Sequence, residues 1–141
     1  MNRKFSTYLI IALVFCFLVL PFQSTASANV PGVQFKLGNE VLFDSPQYYS
    51  LIKGKRVGLV TNQTGVNSKG VSTVDRLAND PNVKLVALFG PEHGIDGKAP
   101  AGSYVKSYNH PTLNIPVYSL YGVTRKPTPD MLHNVDVLLF D

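Results

Sequence analysis

Cysteine is almost missing from this chain. The single one, Cys16, lies between Phe15 and Phe17 in the apolar run Tyr8–Leu20, and nothing after residue 28 carries a thiol. A disulfide framework and a thiolate metal site are therefore excluded for the rest of the chain, which needs an ordinary hydrophobic core. Long hydrophobic runs are equally scarce. Tyr8–Leu20 spans thirteen residues, against about 20 needed to cross a bilayer as a helix. Arg3 and Lys4 precede this run, Pro21 breaks it, and Ala26-Ser27-Ala28 follows. Residues 1–28 thus read as a secretory signal peptide that is cleaved, leaving no stable membrane anchor and a secreted, extracellular or wall-associated product.

Concentrated charge of one sign is also lacking. The chain is +4 overall, but beyond residue 28 eleven Lys/Arg face nine Asp/Glu, and only Lys53, Lys55 and Arg56 approach a cluster. Nucleic-acid binding shows as a basic stripe with aromatic platforms, so no nucleic-acid partner is expected. The dinucleotide pattern G-x-G-x-x-G and a Gly-Lys-Ser/Thr phosphate loop are both absent, and no cofactor is expected. No internal repeat or low-complexity tract stands out.

What is present is an alternation of short apolar runs with capped helical stretches. Val33–Phe43 alternates around Gly38-Asn39, as a weak hairpin or an extended lead-in. Ser45-Pro46 opens a helix that Gly54 closes. Arg56–Thr61 is a strand buried on both faces. Ser72 caps a helix to about Asn79 with Val74, Leu77 and Ala78 inward, and Asp80-Pro81-Asn82 ends it. Residues 83–89 give a second strand, Gly90–Asn114 a long irregular stretch, and Ile115–Leu120 a third strand. Pro127–Asn134 is a short helix, and 135–141 is a fourth strand that reads as buried. This order predicts an α/β fold with a Rossmann-like, mostly parallel sheet and flanking helices, incomplete at the C-terminus.

In such a sheet ligands bind at the carboxyl ends of the strands. Thr61-Asn62-Gln63, Gly90–Gly94, Tyr121-Gly122 and Asp141 fall there. Within Phe89-Gly90-Pro91-Glu92-His93-Gly94, Glu92 is the first candidate catalytic group: a partly desolvated carboxyl has a raised pKa and serves as a general acid. Its bland alternatives are a helix cap or a partner for Arg125. His93 orients Glu92, binds substrate or acts as a base, or else is a structural histidine bonded to a backbone carbonyl. Asn62 and Gln63 offer amides to sugar hydroxyls or an acetamido group, unless they only build an Asx turn. Tyr104, Tyr108, Tyr118 and Tyr121 suit carbohydrate stacking, with Tyr118 equally suited to the core. Arg125-Lys126 is either a carboxylate clamp or a pair of solvated cations. Adjacent side chains such as Glu92 and His93 point apart, and His110 and His133 lie at no ligand-like spacing, so no metal site is expected.

Lys55–Gly65, Leu88–Gly94 with Gly97, Pro116–Gly122, Lys126-Pro127-Thr128 and Asp136–Asp141 occur in the order and spacing of one family. Together they closely resemble the exo-β-N-acetylmuramidases, long filed as a bacterial domain of unknown function, over essentially all of residues 33–141. The resemblance implies that residues 29–141 are the N-terminal part of a Rossmann-like catalytic domain, the remainder and a smaller C-terminal domain being absent. It implies release of terminal N-acetylmuramic acid from peptidoglycan fragments, with muramyl saccharides as partners. Glu92 is then the catalytic acid, with His93 and Asn62 in the same pocket. Two other readings stand beside it. One is a non-catalytic module that holds wall sugars; the other is a truncated, inactive piece, favoured by a chain that stops on a strand at Asp141.

Overall fold

The structure, a computed structural model, describes residues 35–141; the proposed signal peptide and the lead-in residues 29–34 lie outside them. The first element is a helix, α1 (Gly38–Asp44), where the alternating pattern suggested a hairpin or extended chain. Glu40 decides this. Its Oε2 accepts the Leu37 N–H at 2.9 Å, satisfying an amide at the helix start, and its Oε1 accepts from the Ser68 amide and hydroxyl. Leu42 and Phe43 then turn toward the core.

Helix α2 (Pro46–Tyr49) has its proline at the first helical position, as expected, but Ser45 makes no side-chain cap. The chain continues as turns to Gly54, whose N–H donates to Asn82 O at 2.7 Å. Strand β1 (Arg56–Val60) follows, then α3 (Thr73–Ala78), capped by Ser72 through the Asp75 N–H as its sequence predicts. Val74 and Leu77 pack on the core as expected, but Thr73 rather than Ala78 completes the inner face. Thr73 and Leu77, one helical turn apart, are buried, while Ala78 is exposed, because the Thr73 hydroxyl is drawn into a polar cluster with Asn39 and Asp141.

Strand β2 (Lys84–Gly90), the two-residue β3 (Tyr108–Asn109), β4 (Pro116–Ser119), α4 (Pro129–Leu132) and β5 (Val137–Phe140) complete the domain. Thr128 caps α4, accepting from the Met131 N–H. The sheet runs β3-β4-β2-β1-β5, parallel throughout except for the antiparallel β3 edge. Its four parallel strands lie in the order third, second, first, fourth along the chain. That is one half of a doubly wound sheet and the first strand of the other half, with the reversal of direction between β1 and β5. The fold is the Rossmann-like α/β domain expected.

The strands carry a core on each face. Val57, Leu59, Leu88 and Val117 pack with Ile52 and Leu77 on one side, and Val60, Ala87 and Phe89 with Tyr118 and α4 on the other. Burial of side chains of this size is worth about 1.5–3 kcal/mol each. Strand β5 departs from its reading as a buried strand: its residues alternate, and Phe140 is 86% exposed.

At the amino ends of the strands, Arg56 and Asp136 fasten β1 to β5. Asp136 Oδ1 accepts Arg56 Nη2 at 2.7 Å, and Oδ2 accepts the Arg56 backbone N–H at 2.8 Å and Nε at 3.1 Å. Arg56 holds the Asp136 carboxyl down to about 2. A depressed carboxylate stabilises the fold above its unfolded pKa and loses that contribution as pH falls through its folded value. Asp136→Asn is therefore expected to lower the melting temperature at pH 7, with the gap to the parent closing as pH falls from about 4 toward 2. The pair is half exposed, so the gap is modest. Thermal melts at the two ends of that window check it, and a gap independent of pH would contradict the assignment.

Candidate functional site

Parallel strands bring their carboxyl ends to one edge, and the turns after β1 and β2 lie there side by side: Val60 is in register with Phe89, and Thr61 N donates to Phe89 O at 3.1 Å. The sequence therefore placed Asn62 and Glu92 correctly on neighbouring loops. Asn62 forms the Asx turn that was its bland alternative. Its Oδ1 accepts the Thr64 N–H at 2.9 Å and the Thr64 hydroxyl at 2.7 Å. That bonding fixes the amide and leaves its Nδ2 with no partner among the described residues.

Gln63 reaches across to the second loop. Gly97, at φ 69°, presents its bare Cα to the Gln63 amide, and a Cβ there would overlap the amide group. The turn after β1 is thereby seated on the turn after β2.

Glu92 follows Pro91 in that second turn. It neither caps a helix nor forms an ion pair with Arg125. Its Oε1 accepts the Gly102 N–H at 2.9 Å. That bond first, and the Tyr121 hydroxyl next, hold the carboxyl below its ordinary value, with the charges of His93 and Arg125 adding to the effect. The expected direction is reversed: the group is too open for desolvation to outweigh the donors that favour its anion.

His93 stands at φ 72°, a left-handed conformation uncommon outside glycine. Its ring pays for the turn through one bond: Nδ1 lies 2.7 Å from Ala99 O, while Ala99 N donates to His93 O at 3.2 Å. This is the backbone-bonded histidine of the structural reading. It also fixes the ring, whose Nδ1–H is donated to the Ala99 carbonyl.

Tyr121 and Arg125 close the other side. The guanidinium carbon of Arg125 lies 3.8 Å from the centre of the Tyr121 ring, a cation–π stack that orients the cation. Tyr121 is held through Val105 N, which donates to its carbonyl at 3.1 Å, and through its own N–H to Ser119 Oγ at 3.1 Å. Glu92, His93, Tyr121 and Arg125 thus form one group, with Asn62 and Gln63 on the adjoining loop.

Two other carboxylates at this edge are engaged elsewhere. Asp96 pairs with Lys98 at 3.4 Å. Asp141 accepts the Thr73 hydroxyl and, at 3.4 Å, the Asn39 amide, beside a cavity of about 190 Å³ under α1. Among the described residues no three His, Cys, Asp or Glu side chains come together as a metal site would require. Nor is any helix there long and apolar enough to cross a membrane. Sequence reading missed the segment Ala99–Val105, which acts on Glu92, His93 and Tyr121 through main-chain atoms and so leaves no side-chain signature. It also missed Asn39, misread with the first helix.

Comparison with known proteins gives a consistent result. Residues 57–141 match the family model described as "Exo-beta-N-acetylmuramidase NamZ, N-terminal". The peptidoglycan beta-N-acetylmuramidase NamZ of Bacillus subtilis (strain 168) is 51% identical over 121 residues, covering 86% of this chain and 28% of that protein. A DUF1343 family protein from Bacteroides fragilis, known from its crystal structure, superposes with a TM-score of 0.64 at 52% identity, over 75% of this chain and 25% of its own. The chain thus spans about a quarter of the length of the relatives it matches.

Proposed function

Because this chain belongs to the exo-beta-N-acetylmuramidase NamZ family through its N-terminal domain, we propose that it serves a secreted glycoside hydrolase that releases terminal N-acetylmuramic acid from peptidoglycan fragments. The observation that carries this reading is a single carboxylate, Glu92, set among an amide, an imidazole, a phenol and an oriented guanidinium at the sheet edge where an α/β fold binds ligands. Export is supported by the Arg3-Lys4 start and the apolar run that ends before Ala26-Ser27-Ala28.

Hydrolysis of a glycoside adds water at the anomeric carbon and returns a proton to the leaving oxygen. Glu92 is the group proposed to deliver that proton. Its donors favour the anion, so to act as an acid it takes a proton from solvent water as a saccharide oxygen replaces them, and passes that proton to the leaving oxygen. The free edge of the Arg125 guanidinium faces the task of binding the lactyl carboxylate, which muramic acid carries and glucosamine lacks. Asn62 and Gln63 supply amides for the acetamido and hydroxyl groups.

The test is an assay of the full chain on N-acetylmuramyl-N-acetylglucosamine, with the sequence-inverted disaccharide as control. Free N-acetylmuramic acid from the first substrate and no sugar from the second is the expected result. Binding of the disaccharide without release assigns the domain a sugar-holding role instead, and absence of both binding and release defeats the reading.

A further inference from the structure

Of the four tyrosines near this edge, three have an evident occupation. Tyr118 packs its ring 5.4 Å from that of Phe89 in the core. Tyr108 belongs to the edge strand β3. Tyr121 is covered on one face by Arg125 and lies beside Glu92. Tyr104 is different. Its ring rests on Gly122: a Cβ at that glycine would stand 3.2 Å from Cζ and 3.3 Å from Cε2, and 2.9 Å from Val105 O. The side chain nevertheless remains 60% exposed.

An aromatic ring backed by glycine and open to solvent opposite is a flat apolar surface held in place. Its position relative to the site is fixed by its own neighbours. Gly102, two residues before it, donates to Glu92 Oε1, and Val105, one residue after it, donates to the carbonyl of Tyr121. The ring is thus carried on the segment that holds the carboxylate. A residue larger than glycine at position 122 would push the ring off this seat.

We propose that Tyr104 is the stacking platform for a pyranose ring of the bound muramyl saccharide, a role that rests on the function proposed above and singles out one of the four tyrosines that the sequence offered for stacking. The C–H face of a pyranose meets the open face of the phenol ring, and the hydroxyl of Tyr104 has no essential part. Calorimetric titration of the full chain with N-acetylmuramyl-N-acetylglucosamine, together with proton NMR of the sugar, tests this. Tyr104→Ala is expected to weaken binding about tenfold, and Tyr104→Phe to stay within about twofold of the parent. Upfield ring-current shifts of sugar C–H protons are expected in the parent and in Tyr104→Phe and lost in Tyr104→Ala. Equal affinity of Tyr104→Ala and parent overturns the platform alone and leaves the muramidase reading standing. Loss of affinity in Tyr104→Phe as large as in Tyr104→Ala also overturns it, since the hydroxyl would then be the contact. If Tyr104→Ala fails to fold, absence of upfield shifts in the parent decides against the proposal. No binding by the parent removes both readings together.

Discussion

Glu92→Gln is expected to lower the release of N-acetylmuramic acid by about 10²–10⁴-fold, the range for removal of a general acid, with little change in melting temperature. The amide keeps an oxygen to accept the Gly102 N–H, so the loop has no reason to rearrange. What disappears is the ability to exchange a proton. A fall smaller than about tenfold would show that the proton comes from elsewhere.

The lowered pKa of Glu92 gives this prediction a pH signature. If the protonated carboxyl is the working form, kcat/KM falls as pH rises through the depressed value of the free protein. The corresponding limb of kcat is expected at higher pH if the bound saccharide replaces the Gly102 and Tyr121 donors with a sugar oxygen. Both limbs are expected to vanish in Glu92→Gln. A limb of opposite sign, with kcat/KM rising with pH over that range, would assign the ionised form as active and make Glu92 a base or nucleophile.

Phe89→Ala carries the largest expected cost in stability, about 3–5 kcal/mol. Phe89 is fully buried in the middle of the sheet, with Tyr118 against its ring and Gly58 of β1 beneath it. The absence of a Cβ at 58 is what gives the ring room: one would stand 3.0 Å from Phe89 Cε2. Backbone on both neighbouring strands limits how far the sheet can collapse into the vacated space, which places the cost toward the upper end. A domain of this size has about 5–15 kcal/mol in total, so the variant is expected to melt far below the parent or fail to fold. A denaturant titration at 25 °C measures it. A loss below about 1.5 kcal/mol would mean that the two core clusters repack freely.

The strands were readable because each is a short, dense apolar run between turn residues, and parallel strands buried on both faces leave that mark. Helix α3 was readable because Ser72 and Asp75 sit where a cap requires them. Helix α1 was not, since four or five alternating residues serve either period, and the deciding bond runs from Glu40 to Ser68, far along the chain. Two-residue β3 is set by β4 beside it and has no pattern of its own. The shared edge of Asn62, Gln63, Glu92, His93, Tyr121 and Arg125 was legible because the strand ends set where the following turns lie. The ionisation state of Glu92 was not, because it depends on a main-chain N–H ten residues away.

The seating of Gln63 on Gly97 makes these two positions a single unit of variation. A side chain at 97 would have to displace the Gln63 amide, the end of a flexible and exposed side chain, and would itself be strained at φ 69°. Alanine at 97 beside glutamine at 63 pushes the amide off its seat; with serine at 63 there is no amide to displace, but the bridge is gone as well. Either change removes the side-chain contact between the Asn62 and Glu92 turns and leaves the Thr61 N to Phe89 O bond between them.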